Sequence, residues 1–279
     1  MIGSAGTVTT PPGERTRPRY LAIAMTSFQE ATAYRVSTLF TILISFLWVF
    51  ILYALWSAAF AESTTIAGYS WREMRTYILL AYAMNALVGW RTGSKMMQSI
   101  KTGAITRDLI RPLNYCTTQL ADAAGISVVE GGISFVLTLL LGMVFFGIEP
   151  PASPEAAVLF AVTLVAGFLT KSLVIFLISL LCFWTINSVG LMWAQQAVIS
   201  MLSGTLIPLA LMPGWLRLIA DVLPLRGIVA TPLAIYLGKA TGWELIGLVA
   251  LQFGWLAALW WFANWAWPRA FRAVEIQGG

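Results

Sequence analysis

The chain has no histidine. That removes the commonest general base and the commonest metal ligand at once. Cysteine is scarce as well. Cys116 and Cys182 are the only two, both fall on the side read below as cytoplasmic, and neither sits at metal-ligand spacing. This argues against a disulfide and against a metal site. Charge is the third shortage. Asp, Glu, Lys and Arg make up 10% of the residues against 59% apolar, where soluble domains run at about a quarter and about half. A phosphate-cradling loop is missing too. Gly89-Trp-Arg-Thr-Gly93-Ser-Lys95 holds glycines and a lysine, but not the Gly-x-x-x-x-Gly-Lys-Ser/Thr spacing, and no strand precedes it. Serine nucleophiles have no base beside them. Glu149 and Glu155 flank a proline turn and read as outer-loop acids rather than a catalytic pair. An enzyme built on this chain, for instance one acting on a lipid-linked substrate, would have to work with Asp, Glu or Lys alone.

What the chain has in abundance is long apolar runs. A helix needs roughly 20 apolar residues to cross the hydrocarbon core, and six stretches qualify, at about 39–60, 76–90, 125–148, 156–184, 191–211 and 243–267. They leave room for short loops and no second soluble domain, so residues 19–279 read as one transmembrane domain. Residues 1–18 are rich in Thr, Pro, Gly and Arg, with no apolar core of a signal peptide, and read as a disordered basic arm. From Arg19 to Thr38 a helical pattern with Leu21, Met25, Phe28 and Ala31 near one face reads as an interfacial helix. The net charge of +5 is a topology signal here and not a nucleic-acid one. With both termini inside, eleven Lys and Arg side chains lie on the cytoplasmic side and five on the outer side, as the positive-inside rule asks. The chain therefore reads as a multi-pass protein of the plasma (inner) membrane.

Two ionisable residues fall inside spans. Glu130 sits one and a half turns into the third, and Lys171 lies near the middle of the fourth. A charge there costs at least about 2.5 kcal/mol, so each should face protein or water rather than lipid. Together with Asn85, Gln195 and Gln196 they are candidates for a polar path through apolar walls. Glu130 and Lys171 differ in expected depth by several ångströms and would meet only if the spans tilt. A secondary transporter would need coupling carboxylates at mid-depth, where the sequence offers only Lys171. The walls suit amphipathic drugs, natural products or lipids better than sugars or ions.

Two segments break the apolar pattern. In the cytoplasmic stretch 93–122, Met96, Met97 and Ile100 form one short apolar face, Gly103 breaks it, and Ile105, Leu109, Ile110 and Leu113 form another. Edged by Lys101, Arg107, Asp108 and Arg111, these amphipathic pieces read as a docking surface. The second segment, 203–237, is punctuated by Pro208, Pro213, Pro224 and Pro232. It is too broken to span and too apolar for an aqueous loop. The spacing predicts one short amphipathic helix between Pro213 and Pro224, carrying Trp215, within a re-entrant or surface-lying outer hairpin.

These features resemble the permease subunits of type-2 ABC exporters. The likeness rests on Ser203-Gly204-x-x-Ile207-Pro208, Pro213-Gly214-Trp215-Leu216 and Leu223-Pro224-Leu225. The stretch 101–113 is similar to the inner-loop motif of a subgroup of mostly unassigned substrate. The resemblance implies an all-α integral membrane fold: six transmembrane helices, an N-terminal interfacial helix, cytoplasmic coupling helices and a re-entrant outer hairpin before the sixth. It implies two copies of a separate ABC ATPase that bind ATP and Mg, so this chain itself would bind no cofactor and catalyse nothing. It also implies a second permease, identical or related, packed against the first, second and fifth spans. Met96, Met97, Ile100, Lys101, Arg107, Asp108 and Arg111 would couple to the ATPase, and Pro208, Pro213, Trp215 and Pro224 would shape the cap of the exit path.

Overall fold

The computed structural model describes residues 16–33, 35–105, 113–185 and 188–275. The chain is built from helices, with one two-stranded ribbon. Helix α1 (Thr16–Ala33) is followed by α2 (Arg35–Ala59). Strands β1 (Thr65–Ile66) and β2 (Tyr69–Ser70) pair antiparallel around a two-residue turn, Thr65 opposite Ser70 and Ile66 opposite Tyr69. Helices α3 (Trp71–Ala86), α4 (Trp90–Lys101) and α5 (Tyr115–Leu141) follow. Helix α5 runs on through a π turn, Gly142–Phe146, and α6 (Pro154–Ser179) through a 3-10 turn, Leu180–Phe183. Then come α7 (Ser188–Leu202), α8 (Gly214–Val222), a 3-10 turn at Pro224–Ile228, α9 (Ala230–Tyr236) and α10 (Gly242–Glu275).

Local chemistry marks the starts. Ser70 and Glu73 form a reciprocal capping box at α3. Asn114 accepts from the Thr117 N–H at α5, and Ser153 caps α6 with Pro154 in its first turn. Among the described residues three helices are long and apolar enough to cross a membrane: α5 with its π turn, α6 with its 3-10 turn, and α10 through Arg272. The stretch Phe46–Ala59 of α2 and all of α7 are apolar but shorter.

Several helix bounds differ from the expected spans. Helix α3 ends at Ala86, and a short break at 87–89 separates it from α4, so the stretch 76–90 is not one continuous helix. Its 16 residues cover about 24 Å at 1.5 Å each, short of the roughly 30 Å core. Helix α5 begins ten residues before the expected 125, because Asp122 is satisfied by α1 and α4 and Thr117 and Thr118 by the Asn114 cap. Ser27 donates to Asp122, and Lys95 bonds it at 2.8 Å. Helix α7 stops at Leu202, so 203–211 belongs to the broken segment. Helix α10 runs through Pro268 to Glu275. The last three residues of the arm read over 1–18 are the start of α1, and the remainder lies outside the described residues.

Helix α1 packs along α5, but not by its apolar face. Leu21 is 73% exposed, and Ser27, on another face, is buried. A Cβ at Gly125 would stand 2.1 Å from the Ala24 carbonyl oxygen. Small and polar residues therefore face the protein, and Leu21 and Met25 are left exposed.

The connections gather at two ends. At one, the Glu149 N–H donates to Thr76 Oγ1 (2.9 Å), Tyr236 Oη donates to the Glu149 carbonyl (2.9 Å) and Lys239 pairs with Glu73 (2.6 Å). At the other, Asn114 Nδ2 donates to Asn264 Oδ1 (2.7 Å), and Tyr115 stacks on Trp267 with centroids 3.8 Å apart.

The proline-broken segment forms the predicted short helix, α8, between Pro213 and Pro224, with Trp215 68% exposed. Pro208 and Pro213 each precede a helical turn, and Pro224 opens the next. The 3-10 turn and α9 then pack on α6. A Cβ at Gly167 would lie 2.9 Å from the carbonyl oxygens of both Gly227 and Ile228. Gln252, on α10, donates through Nε2 to the carbonyls of Thr163 and Gly227, both at 2.8 Å. Thr163 and Gly167 lie roughly 14 and 20 Å along α6 from Pro154.

Cys116 and Cys182 are both free and buried. A membrane-permeant maleimide is expected to modify neither until the protein is denatured. Mass spectrometry of the labelled, folded protein checks this, and prompt labelling of either would contradict the packing around it.

Candidate functional site

The α3–α4 break organises the site. Helix α3 ends roughly 24 Å from its start, part-way through the bundle, so its last carbonyls have no helical partner. One of them is Asn85. Lys171 of α6 donates to that carbonyl at 2.5 Å and to Asn85 Oδ1 at 2.7 Å. Lys171 is 1% exposed and makes no ion pair among the described residues. Cation and helix C-terminus suit each other electrostatically as well as by hydrogen bonding. Gly131 of α5 lets the break sit close. A Cβ there would meet the Leu87 carbonyl oxygen at 2.4 Å.

After the break, α4 starts at Trp90, and Arg91 Nη1 meets Glu130 Oε1 at 2.8 Å. Glu130 lies about halfway along the extended α5, not one and a half turns inside it as the expected start at 125 implied. It pairs with Arg91 and not with Lys171. Both pairs wall a cavity of about 380 Å³, also lined by Tyr82, Ser134 and Gln196. Four of the five expected path residues, Asn85, Glu130, Lys171 and Gln196, thus meet at one cavity. Gln195 does not line it. It is buried and faces α4, where its Nε2 lies 3.5 Å from where a Gly93 Cβ would be. Arg91 enters the sequence reading only within the count of cytoplasmic basic residues. An arginine two residues after Gly89, with a glutamate inside an apolar run in want of a partner, is the signal that points to it.

Helix α4 carries its apolar face inward. Met96 (4% exposed), Met97 (1%) and Ile100 join Leu173, Phe176 and Met192 in one core cluster. These three residues, expected on a docking face, are thus covered within this chain. The physical reason is that the protein's own spans supply the apolar partner that the periodicity demanded. Lys101 is exposed at the end of α4, and Gly103 follows with a positive φ of 69°. Arg107, Asp108 and Arg111 lie outside the described residues. A second cavity of about 430 Å³ sits between α1, α4 and α5. There Lys95 bridges Glu30 (2.9 Å) and Asp122 (2.8 Å), tying the three helices together. Burial alone would lower the Lys95 pKa, but the hydrogen bonds and charges of Asp122 and Glu30 outweigh it and raise it above the ordinary lysine value. Among the described residues no cluster of acidic side chains and cysteines is arranged to hold a metal ion.

The family model for ABC-2 family transporter proteins matches residues 46–278, which takes in the α3–α4 break, the cavity and the proline-broken segment. The chain belongs to the ABC-2 transporter family. A search of curated proteins finds no match. As an ABC-2 permease the chain is a multi-pass membrane component of an ABC transporter, a transport subunit that works with an ABC ATPase subunit.

Proposed function

We propose that this ABC-2 chain is the permease of an ATP-driven exporter. It moves an amphipathic or hydrophobic substrate, a drug, natural product or lipid, out of the cytoplasm by alternating access. The observation that carries this reading is the α3–α4 break. The same few residues wall the cavity, and one turn further on the chain becomes the amphipathic helix whose exposed end leads to the cytoplasmic basic stretch. Closure of an ATPase dimer on ATP and Mg would press on that stretch through Lys101, Arg107, Asp108 and Arg111. Helix α4, packed by Met96, Met97 and Ile100 against α6 and α7, would transmit the push to Arg91–Glu130 and to the cavity. Each nucleotide state then favours one set of contacts, and the population shifts accordingly.

The topology we infer has six crossings and both termini in the cytoplasm of a cell with this protein in its plasma (inner) membrane. The clustering of alternate connections at two ends supports it, as does the excess of basic residues on one of them. The segment 203–237 is read as re-entrant, because its 3-10 turn lies beside α6 residues some 14–20 Å below the helix start. Two ATPase subunits and a second permease, identical or related, complete the assembly. Exposed apolar faces support that partner: Leu43, Leu47 and Leu55 on α2, and Trp193 and Val198 on α7.

Affinity purification in mild detergent, with the chain expressed beside its neighbouring genes, tests the reading. The expected result is a stoichiometric ATPase whose turnover vanadate inhibits. Charge reversal at Arg107 or Arg111 is expected to lower the coupling of ATPase turnover to transport several-fold without loss of folded protein. A clean single chain with no associated ATPase would overturn the proposal, and unchanged coupling in both variants would remove the docking role of those residues.

A further inference from the structure

Among the described residues, the cavity at the α3–α4 break holds one positive charge more than it balances. Arg91 and Glu130 neutralise each other across it at 2.8 Å. Lys171 spends its ammonium on two uncharged oxygens of Asn85. The first turn of α4 opens on the same space, and its N-cap, Gly89, offers no side-chain hydrogen bond. The unsatisfied N–H groups of a helix start carry partial positive charge and favour anions. A lysine held inside a membrane protein without a counter-charge is costly, and an anion arriving from outside relieves that cost. Beside this cationic interior stands apolar surface. Trp90 lines the cavity and lies 4.9 Å from Trp193, centroid to centroid, with both rings exposed.

Resting on the reading of this cavity as the permease's loading site, we propose that it takes the anionic headgroup of an amphiphile, a phosphate or carboxylate. Lys171 is the counter-ion, and the apolar chain lies against Trp90 and Trp193. The headgroup oxygens accept from Lys171 Nζ and from N–H groups at the start of α4. Tyr82 and Gln196 supply further polar contacts on the wall. A neutral amphiphile would leave the lysine as it stands and gain only the aromatic contact. A free inorganic anion would gain the charge but forgo that contact. The pairing of the two surfaces is what selects a charged lipid-like molecule over either.

The test uses the full-length protein, with whatever ATPase copurifies, in a detergent of neutral headgroup. It is titrated with dioctanoyl phosphatidic acid, dioctanoyl phosphatidylcholine and inorganic phosphate, followed by calorimetry and tryptophan fluorescence. Phosphatidic acid is expected to bind saturably, and phosphatidylcholine about tenfold more weakly, the size of one charge-assisted hydrogen bond. Lys171→Met is expected to weaken phosphatidic acid by a similar factor and Lys171→Arg to retain most of the binding. Glu130→Gln leaves Arg91 without its carboxylate and is expected to tighten binding several-fold. It decides the matter if Lys171→Met does not fold, since unchanged or weaker binding there overturns the proposal. Equal binding of the two lipids, or of wild type and a folded Lys171→Met, also overturns it. Displacement of the lipid by inorganic phosphate at matching concentration would overturn the amphiphile as the source of the anion. Lysine-dependent binding in a chain that recruits no ATPase would uphold the site and overturn the transport reading. Vanadate-sensitive turnover without phosphatidic acid binding would overturn the site alone.

Discussion

Gly131→Ala is expected to displace the α3–α4 break and to cost the permease both stability and transport. A single methyl at that position would stand 2.4 Å from the Leu87 carbonyl oxygen, 2.6 Å from its Cα and 2.8 Å from its carbonyl carbon. All three are backbone atoms, so no rotamer change relieves the clash, and α3 and α5 must move apart. Overpacking of a tight core costs about 1–3 kcal/mol, and a backbone-on-backbone collision belongs at the upper end. For a chain of this size that corresponds to a fall in Tm of roughly 5–10 °C. The adjacent glycine supplies the control. A Cβ at Gly132 meets nothing nearer than the Ser127 carbonyl oxygen at 3.7 Å, an ordinary contact. Gly132→Ala is expected to leave Tm and transport within error, or to raise Tm slightly through better helix propensity. Thermal unfolding of the two variants side by side measures the difference. Equal behaviour would mean that α5 and the break do not pack as described. Because the break also positions Asn85 and Arg91, transport in Gly131→Ala is expected to fall further than the loss of folded protein accounts for.

Much of the helical framework was legible in the sequence because lipid imposes a simple rule on it. Long apolar runs must be helices that satisfy their own backbone, and α6 and α10 start within two residues of their expected positions. The short helix between Pro213 and Pro224 was legible for the opposite reason, since proline chemistry punctuates both of its ends. The start of α5 was hidden. Thr117, Thr118, Gln119 and Asp122 look like loop residues until Ser27 and Lys95 are seen to satisfy Asp122. Those partners lie 95 and 27 residues away in the chain, and no local pattern encodes them. The break at 87–89 was half visible. At 15 residues, 76–90 is the shortest of the six apolar runs, but nothing local said that Lys171 would cap α3 from another helix.

The same limit separates the candidate site residues. Polar residues inside apolar runs announce themselves one by one, which is why Asn85, Glu130, Lys171 and Gln196 could be named before they were seen around one cavity. Their pairing could not be named. Tilt and extension of α5 place Glu130 opposite Arg91, and Lys171 reaches a backbone carbonyl rather than a carboxylate. For Met96, Met97 and Ile100 the periodicity correctly identified an apolar face and was silent on what covers it. A partner protein and the protein's own core place the same demand on the sequence. The structure supplies the core, which leaves the exposed end of α4 at Lys101 as the part a partner could reach.

Replacing Gln252 by methionine is expected to loosen the segment 203–237. Gln252 is 4% exposed, and its one amide nitrogen donates to carbonyls on two different elements, Thr163 of α6 and Gly227 of the 3-10 turn. Thr163 keeps its place in the helical ladder of α6. Gly227 lies buried in irregular backbone, with no helical ladder to take over the lost donor. Methionine matches glutamine in length and flexibility but offers no N–H, so the loss is one of hydrogen bonding rather than volume. An under-satisfied buried carbonyl costs about 1–3 kcal/mol. The second lost bond adds a smaller share, and Tm is expected to fall by roughly 4–8 °C. The effect should be local as well as global. Ile228 is 3% exposed, and with both native cysteines buried, a single Ile228→Cys reports on this turn. A membrane-impermeant maleimide is expected to leave that cysteine largely unmodified in the otherwise native protein and to label it when Gln252→Met is added. Labelling as fast in the native background as in the double variant would mean that the turn lies open to the outer solution, and the segment would then be a surface loop. Protection in both would mean that the α6–α9 packing at Gly167 holds the segment without Gln252. A rise confined to the double variant is the result a re-entrant segment pinned by one amide predicts. It would place the outer gate of the transport path at the contact between α6, α9 and α10.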